Sequence, residues 1–313
     1  MKPAFSVIFF TVSTGAGYGV FFVTSVFVLF KLMPKSMYFS GSLFIMAIAL
    51  ITFGLFSSVL HLGRPERAWM ALSQWRSSWL SREGVFAIIA YVPIFAFSFA
   101  WIFLQNTEFV YLSKLLASLN IVFCLITVIC TGMIYYSLKP IQRWRHTLVV
   151  PIYILHSWSS GLILTLSTLA VTFQDTYLCV FFFLIVNFFT WMLKLKYWYD
   201  IEREGRPTNK NTALGLSNTK KINNFDPPHT SENYLQKEMV FVLARKHSKK
   251  LRLFVNLFAY FFPLVLVIFG YLFGNSYSII TYFIAVILLF IGLIIERWLF
   301  FAEAKHTVSL YYI

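Results

Sequence analysis

The sequence predicts an all-α fold, a polytopic membrane bundle of about eight transmembrane helices. Three observations predict it. Of 313 residues, 59% are hydrophobic and 20% aromatic, while only 12% are charged, against about 25% in a soluble domain. The apolar runs are each roughly 20 residues long, the length a helix needs to cross the hydrocarbon. They do not alternate polar and apolar positions as barrel strands do. In lipid the backbone must satisfy its own hydrogen bonds, so spans are helices or closed barrels. The sequence pattern selects helices.

The spans fall at about 5–30, 40–61, 83–104, 114–138, 149–172, 176–198, 252–273 and 277–302. The first opens with Lys2 and an apolar run ending in Ser13-Thr14-Gly15-Ala16-Gly17, which imitates a secretory leader. The apolar stretch resumes and runs to Phe30, so a first transmembrane helix is the better reading. Gly15, Gly17 and Gly19 allow a close helix approach there. Spans five and six turn near Gln174-Asp175, and spans seven and eight at Gly274-Asn275-Ser276, so both pairs are helical hairpins. Pro93, Pro151 and Pro263 interrupt spans. The whole chain, 1–313, forms one membrane domain with a polar loop at about 199–251 that carries Gly205, Pro207, Pro227 and Pro228. Within that loop, Tyr234 to Leu251 reads as a basic amphipathic helix suited to anionic lipid or a partner. A solvated loop is the alternative.

The net charge is +14. The basic residues lie between spans and form no separate domain, which argues for membrane orientation and against nucleic acid. Lys and Arg alone set that orientation. One side holds Lys2, Arg64, Arg67, Arg76, Arg82, Lys139, Arg143, Arg145, the stretch from Lys194 to Arg252, Arg297 and Lys305. Only Lys31, Lys35 and Lys114 of the 26 Lys and Arg fall on the other. The first side, with both termini, is expected in the cytoplasm. Cys124, Cys130 and Cys179 all lie in apolar runs without a CxxC pair. They read as core residues, with no iron–sulfur cluster or structural zinc in this chain. His61 and His156 raise the question of a haem, yet only His156 is deep in a span, and no haem is expected. The chain has no nucleotide-binding glycine motif, metal-ligand cluster or nucleophile triad, so no catalytic or metal residues are expected and no substrate chemistry of its own.

Few charges enter the spans, where they are expensive and usually functional. Arg82 and Glu83 open span three, His61 closes span two, and His156 lies in span five. Glu296-Arg297 reads as an ion pair near the end of span eight. The densest stretch is His61 to Gly84, with one His, four Arg, two Glu and three Trp.

In that stretch His61-Leu62-Gly63-Arg64-Pro65, then Arg67-Ala68, then Leu80-Ser81-x-Glu83 resemble the pattern of the dimethyl-sulfoxide-reductase membrane anchors, H-L-G-x-P-x-R-A followed by L-S-x-E. The likeness covers the whole chain in span count and order. Arg297, Phe300, Phe301 and His306-Thr307-Val308 are similar too, though less specific. The resemblance implies the anchor of a three-part complex in a bacterial cytoplasmic membrane. A molybdopterin subunit transforms the substrate, a four-cluster iron–sulfur subunit passes electrons along, and the anchor exchanges them with menaquinone or ubiquinone.

The match of His61 and Glu83 to the family's quinone positions carries that role onto them, with Arg64, Arg67, Arg82 and Trp79 beside them. Their chemistry agrees. Quinone exchange moves protons with electrons, and histidine and a membrane-edge carboxyl can both cycle one. Arginine holds an oxygen or fixes a carboxylate. Trp69, Trp75 and Trp79 offer apolar walls with a polar edge. Plainer roles are a helix-end cap for His61, a favourable N-terminal charge for Glu83, an aromatic belt for the tryptophans and cytoplasmic anchoring for Arg64 and Arg67. Arg76, Arg143, Arg145, Arg245 and Lys246 are candidates for docking the partner subunits.

Two features depart from the family pattern. The dimethyl-sulfoxide reductases face the periplasm, whereas the charge rule puts this chain's His-Leu-Gly loop in the cytoplasm. The long loop, with Pro227-Pro228-His229-Thr230, is foreign to the short-loop members. It is similar to another branch, the anchors of cytoplasm-facing sulfite dehydrogenases, which pass electrons from sulfite to the quinone pool. The alternative is a quinol-oxidising anchor of a terminal reductase. A secondary transporter is the rival of another class, but no repeat is visible and charges avoid the midplane.

Overall fold

The computed structural model describes residues 4–60, 62–104, 110–203, 211, 214–216, 243–304, 306 and 307, and of residues 243–246, 275 and 276 the backbone alone. Among them, eight helical stretches are long and apolar enough to cross a membrane. They are α1 (Phe5–Leu29), α2 (Met37–Val59), α3 (Trp79–Phe103), α4 (Val110–Tyr136), α5 (Val149–Val171), α6 (Tyr177–Arg203), a composite α7 and α8 (Asn275–Ala302). Helix α7 runs as Leu243–Val255, a π segment Asn256–Phe261, and Phe262–Phe273.

Helices α1 and α5 form the centre. Their apolar windows are 78% buried, against 28% to 44% for the other six. The sequence explains the difference. Both carry runs of small and hydroxyl residues, Thr11 to Gly19 in α1 and Ser157 to Gly161 in α5. Between membrane helices, where the lipid is as apolar as leucine, small residues allow tight packing and hydroxyls bond locally. A Cβ on Gly19 would overlap the carbonyl of Ser157, and one on Gly161 would overlap the backbone of Gly19, so the two helices touch backbone to backbone. Gly17 meets Ala47 and Ile51 of α2 in the same way. Gly15 contributes differently: its carbonyl accepts from the Ser157 hydroxyl at 2.6 Å. Helices α4 and α8 also contact α1, α3 packs on α4, and α7 packs on α8 and α6.

The two expected hairpins are present. Asp175 accepts from the Tyr177 amide at 3.0 Å where α6 begins, and Gly274 turns α7 into α8 with φ 86°, a conformation that favours glycine. The prolines do not break the spans as expected. Pro93 sits inside a continuous α3, and Pro151 lies in the first turn of α5. Pro263 is absorbed by the π segment before it, which widens the turn that its ring would otherwise strike. Of the expected amphipathic segment 234–251, the part from Leu243 continues directly into α7, and the rest lies outside the described residues.

With eight antiparallel spans, the start of α1 and the end of α8 share one end of the bundle. The Ser57 hydroxyl at the end of α2 donates to Ser6 O at 3.0 Å, and Thr307 N donates to Pro140 O at 3.1 Å. The α2–α3 and α4–α5 connections therefore lie at this end, which is termed the basic end. Two residues counted on sequence as cations flanking spans are instead internal. Lys194 belongs to α6, which runs five residues past its expected end at 198, and it is 2% exposed; Arg297 is 3% exposed.

Candidate functional site

The α2–α3 connection folds as a 3-10 helix, Pro65–Gln74, with Pro65 in its first turn and Glu66 at its N-terminal end. It lies against the start of α3, where a Cβ on Gly84 would press on Leu72. Trp69, Met70 and Trp75 project outward from it, as do Arg64, Arg67 and Arg76. Ser78 caps α3 by accepting from the Ser81 amide at 3.4 Å. Arg82 then folds back, donating to the carbonyls of Trp75 at 2.9 Å and Arg76 at 2.6 Å, with its guanidinium 4.3 Å from the Trp79 ring. This clamp fixes Trp79 and the loop to the mouth of α3.

Glu83 is one turn deeper and 4% exposed. Its carboxyl contacts the Thr131 hydroxyl of α4, and that hydroxyl is also 3.1 Å from the Thr127 carbonyl. A hydroxyl has one proton to give. With Glu83 ionised, Thr131 donates to the carboxylate. With Glu83 protonated, Glu83 donates to Thr131, which turns its own proton to Thr127. The pair thus has a bonded arrangement for either state of the acid.

Around this pair are two spaces. Outside, between α3 and α4, a groove of about 420 Å³ is lined by Trp75, Arg76, Trp79, Arg82, Phe86, Ile126, Ile129 and Cys130. Small-molecule sites usually measure about 300–1,000 Å³, with apolar walls and a few polar groups. Inside, a polar cavity of about 20 Å³ is bordered by Thr131, Tyr18, Tyr153, His156, Ser160 and Arg297 among others. It has the size and lining for about one water.

Beyond the inner cavity is a cluster that the sequence did not reveal. Glu296 of α8 pairs with Lys194 of α6, and its other oxygen is 2.9 Å from the guanidinium of Arg297. Arg297 lies 3.1 Å from His156 Nδ1 and 3.7 Å from the centre of the Tyr153 ring. His156 Nε2 is 2.8 Å from the Tyr260 hydroxyl of the π segment. The neighbouring Tyr260 carbonyl accepts from Asn187 at 3.3 Å, and Trp191 donates to Asn256 at 2.9 Å. The wide turn of α7 is thereby pinned to α6 and α5. Glu296-Arg297 is thus the centre of a buried network with Lys194, His156 and Tyr260, well beyond a pair at a helix end.

At the surface of the basic end, Arg252 joins Glu303 at 3.0 Å and Glu202 at 2.5 Å, and Arg143 joins Glu303 at 3.4 Å. These pairs tie the α4–α5 connection to α6, α7 and α8.

Of the residues singled out on sequence, Arg82 and Trp79 line the groove, and Glu83, next to Arg82 in α3, is buried against Thr131. Arg64 and Arg67 stand apart on the exposed 3-10 helix, and His61 lies outside the described residues. Among the docking candidates, Arg76 and Arg145 are exposed, Arg143 is paired with Glu303, and the side chains of Arg245 and Lys246 lie outside the described residues. Thr131 was missed because a single threonine in an apolar helix has no local signal.

The bundle is that of a polytopic membrane protein, and the sequence comparisons give its class. Residues 1–302 match the family described as DMSO reductase anchor subunit (DmsC), and the chain belongs to that family. It is also similar to a subunit of the sulfite dehydrogenase of Allochromatium vinosum, with 32% identity over 336 aligned positions that cover 100% of this chain and 99% of that protein. The chain is accordingly a membrane anchor of an oxidoreductase complex.

Proposed function

We propose that this chain exchanges electrons between an iron–sulfur partner and quinone, with the quinone head in the α3–α4 groove. The observation that carries the reading is Glu83, a buried carboxyl with a two-state partner in Thr131, each next in sequence to a residue, Arg82 and Cys130, that lines an aromatic and cationic groove between α3 and α4. The groove fits the group: Trp75, Trp79 and Phe86 supply flat apolar walls, while Arg76 and Arg82 supply donors at the rim. A bound quinone supplies the two-electron, two-proton carrier chemistry. Arg82 holds the mouth in shape. Glu83 takes or returns the proton, and Thr131 keeps the acid hydrogen-bonded in both states. The polar cavity behind Thr131 gives that proton a further polar neighbour. His61 joins Glu83 in this role on the family resemblance.

The exposed Trp69, Met70 and Arg67 of the 3-10 helix, with Arg64 and Arg76 flanking it, form the surface for the iron–sulfur subunit, with Arg145, Arg143, Arg245 and Lys246 at the same end. The molybdopterin subunit follows beyond it. The similarity to a sulfite dehydrogenase subunit supports sulfite as the electron source. The charge asymmetry supports a cytoplasmic basic end in a bacterial inner membrane. One experiment tests substrate and orientation together. Inverted vesicles of the native membrane, given sulfite, are expected to reduce added quinone, and right-side-out vesicles only after permeabilisation. The opposite sidedness overturns the orientation. Activity with quinol and a sulfoxide in place of sulfite makes the complex a terminal reductase.

A further inference from the structure

The end of the bundle opposite the basic end carries few cations, and they converge. Lys31, Lys35 and Lys114 come from the α1–α2 connection and from α4, yet all three line one pocket of about 280 Å³. Trp101 and Leu104 of α3 and Val28 of α1 form apolar parts of its wall. The Trp101 ring is held by an Nε1 hydrogen bond to the Ser40 hydroxyl at 3.1 Å. We propose that this pocket binds the phosphate-bearing headgroup of an anionic phospholipid.

Three observations carry the proposal. Three lysines from two separate parts of the chain line the one pocket, and an anion is the ligand that all three can hold. Lys114 stands one turn into α4, near the helix end where the macrodipole disfavours a cation. Lys31 takes the left-handed position, φ 60°, of the cap that ends α1, with Leu32 N donating to Phe27 O at 2.7 Å, and this turn leads the chain from Lys31 on to Lys35. The ligand is an amphiphile because the cations sit above apolar walls at the membrane edge, with an aromatic ring at headgroup level. A quinone head is uncharged and has no need of three lysines, so this site is independent of the α3–α4 groove.

The test is native mass spectrometry of the full chain, delipidated in mild detergent, titrated separately with phosphatidylglycerol, phosphatidylcholine and inorganic phosphate. Phosphatidylglycerol is expected to bind tightest. Each Lys→Gln change is expected to weaken it about fivefold, and the triple variant K31Q/K35Q/K114Q on the order of 100-fold. Phosphatidylcholine binding is expected to be unchanged by the triple variant. All three side chains are at least partly exposed, so the variants keep the fold; an unchanged thermal midpoint in detergent confirms that. Equal affinity for the two lipids, or an unchanged triple variant, overturns the site. Inorganic phosphate competing fully with phosphatidylglycerol at equal concentration overturns the lipid as its occupant.

Discussion

Glu83→Gln is expected to lower quinone turnover by at least about 100-fold while the complex still assembles in the membrane. The size of the effect is that of a lost general acid–base group, about 10²–10⁴-fold. Glutamine keeps the volume of the side chain and its contact with Thr131, so packing between α3 and α4 is preserved. What it loses is the ability to gain and release a proton. Thr131→Val removes the two-way partner but leaves the acid, and its expected cost is about fivefold, the worth of one modest hydrogen bond. Glu83→Asp is expected to retain part of the rate. Steady-state quinone kinetics on the purified complex, with subunit stoichiometry as the assembly control, check all three. Wild-type kinetics in Glu83→Gln would remove this residue from the site.

Glu296→Gln is expected to be the most damaging change to stability. Glu296 is fully buried and, among the described residues, is the carboxylate that contacts both Lys194 and Arg297, so its loss leaves two buried cations without that partner. Breaking a buried pair from one side costs about 3–5 kcal/mol. Lys194→Met is expected to cost less, because it leaves Glu296 and Arg297 as a neutral pair with His156 beside them. The midpoint of thermal unfolding in mild detergent measures the order. A Lys194→Met variant less stable than Glu296→Gln contradicts this balance of charges.

The sequence announced what is local. Runs of about 20 apolar residues located all eight spans to within several residues, and the glycine at 274 marked a turn that does require positive φ. Glu83 was legible because its motif and its place at the start of a span both drew attention to it. The charge cluster was not legible, since Lys194 and Glu296 are 102 positions apart and join only when the bundle brings their side chains within reach. Lys194 also stands just before a basic stretch, so it read as one more loop cation. The same holds for the pocket of three lysines: their scarcity was visible in the chain, but their convergence depends on how α1, α3 and α4 end together. The prolines misled for a related reason. A proline within a span suggests a break, yet α3 carries Pro93 without one, and α7 accommodates Pro263 by widening a turn whose carbonyl Asn187 then satisfies.

The central claim is that the groove between α3 and α4 is where quinone meets this anchor. A photoreactive quinone analogue, activated on the purified complex and mapped by peptide mass spectrometry, tests it most directly. Saturable labelling is expected in the groove, at Trp75, Trp79, Phe86, Ile126 or Ile129, and excess natural quinone is expected to prevent it. Saturable labelling confined to other helices, with these residues untouched, contradicts the claim.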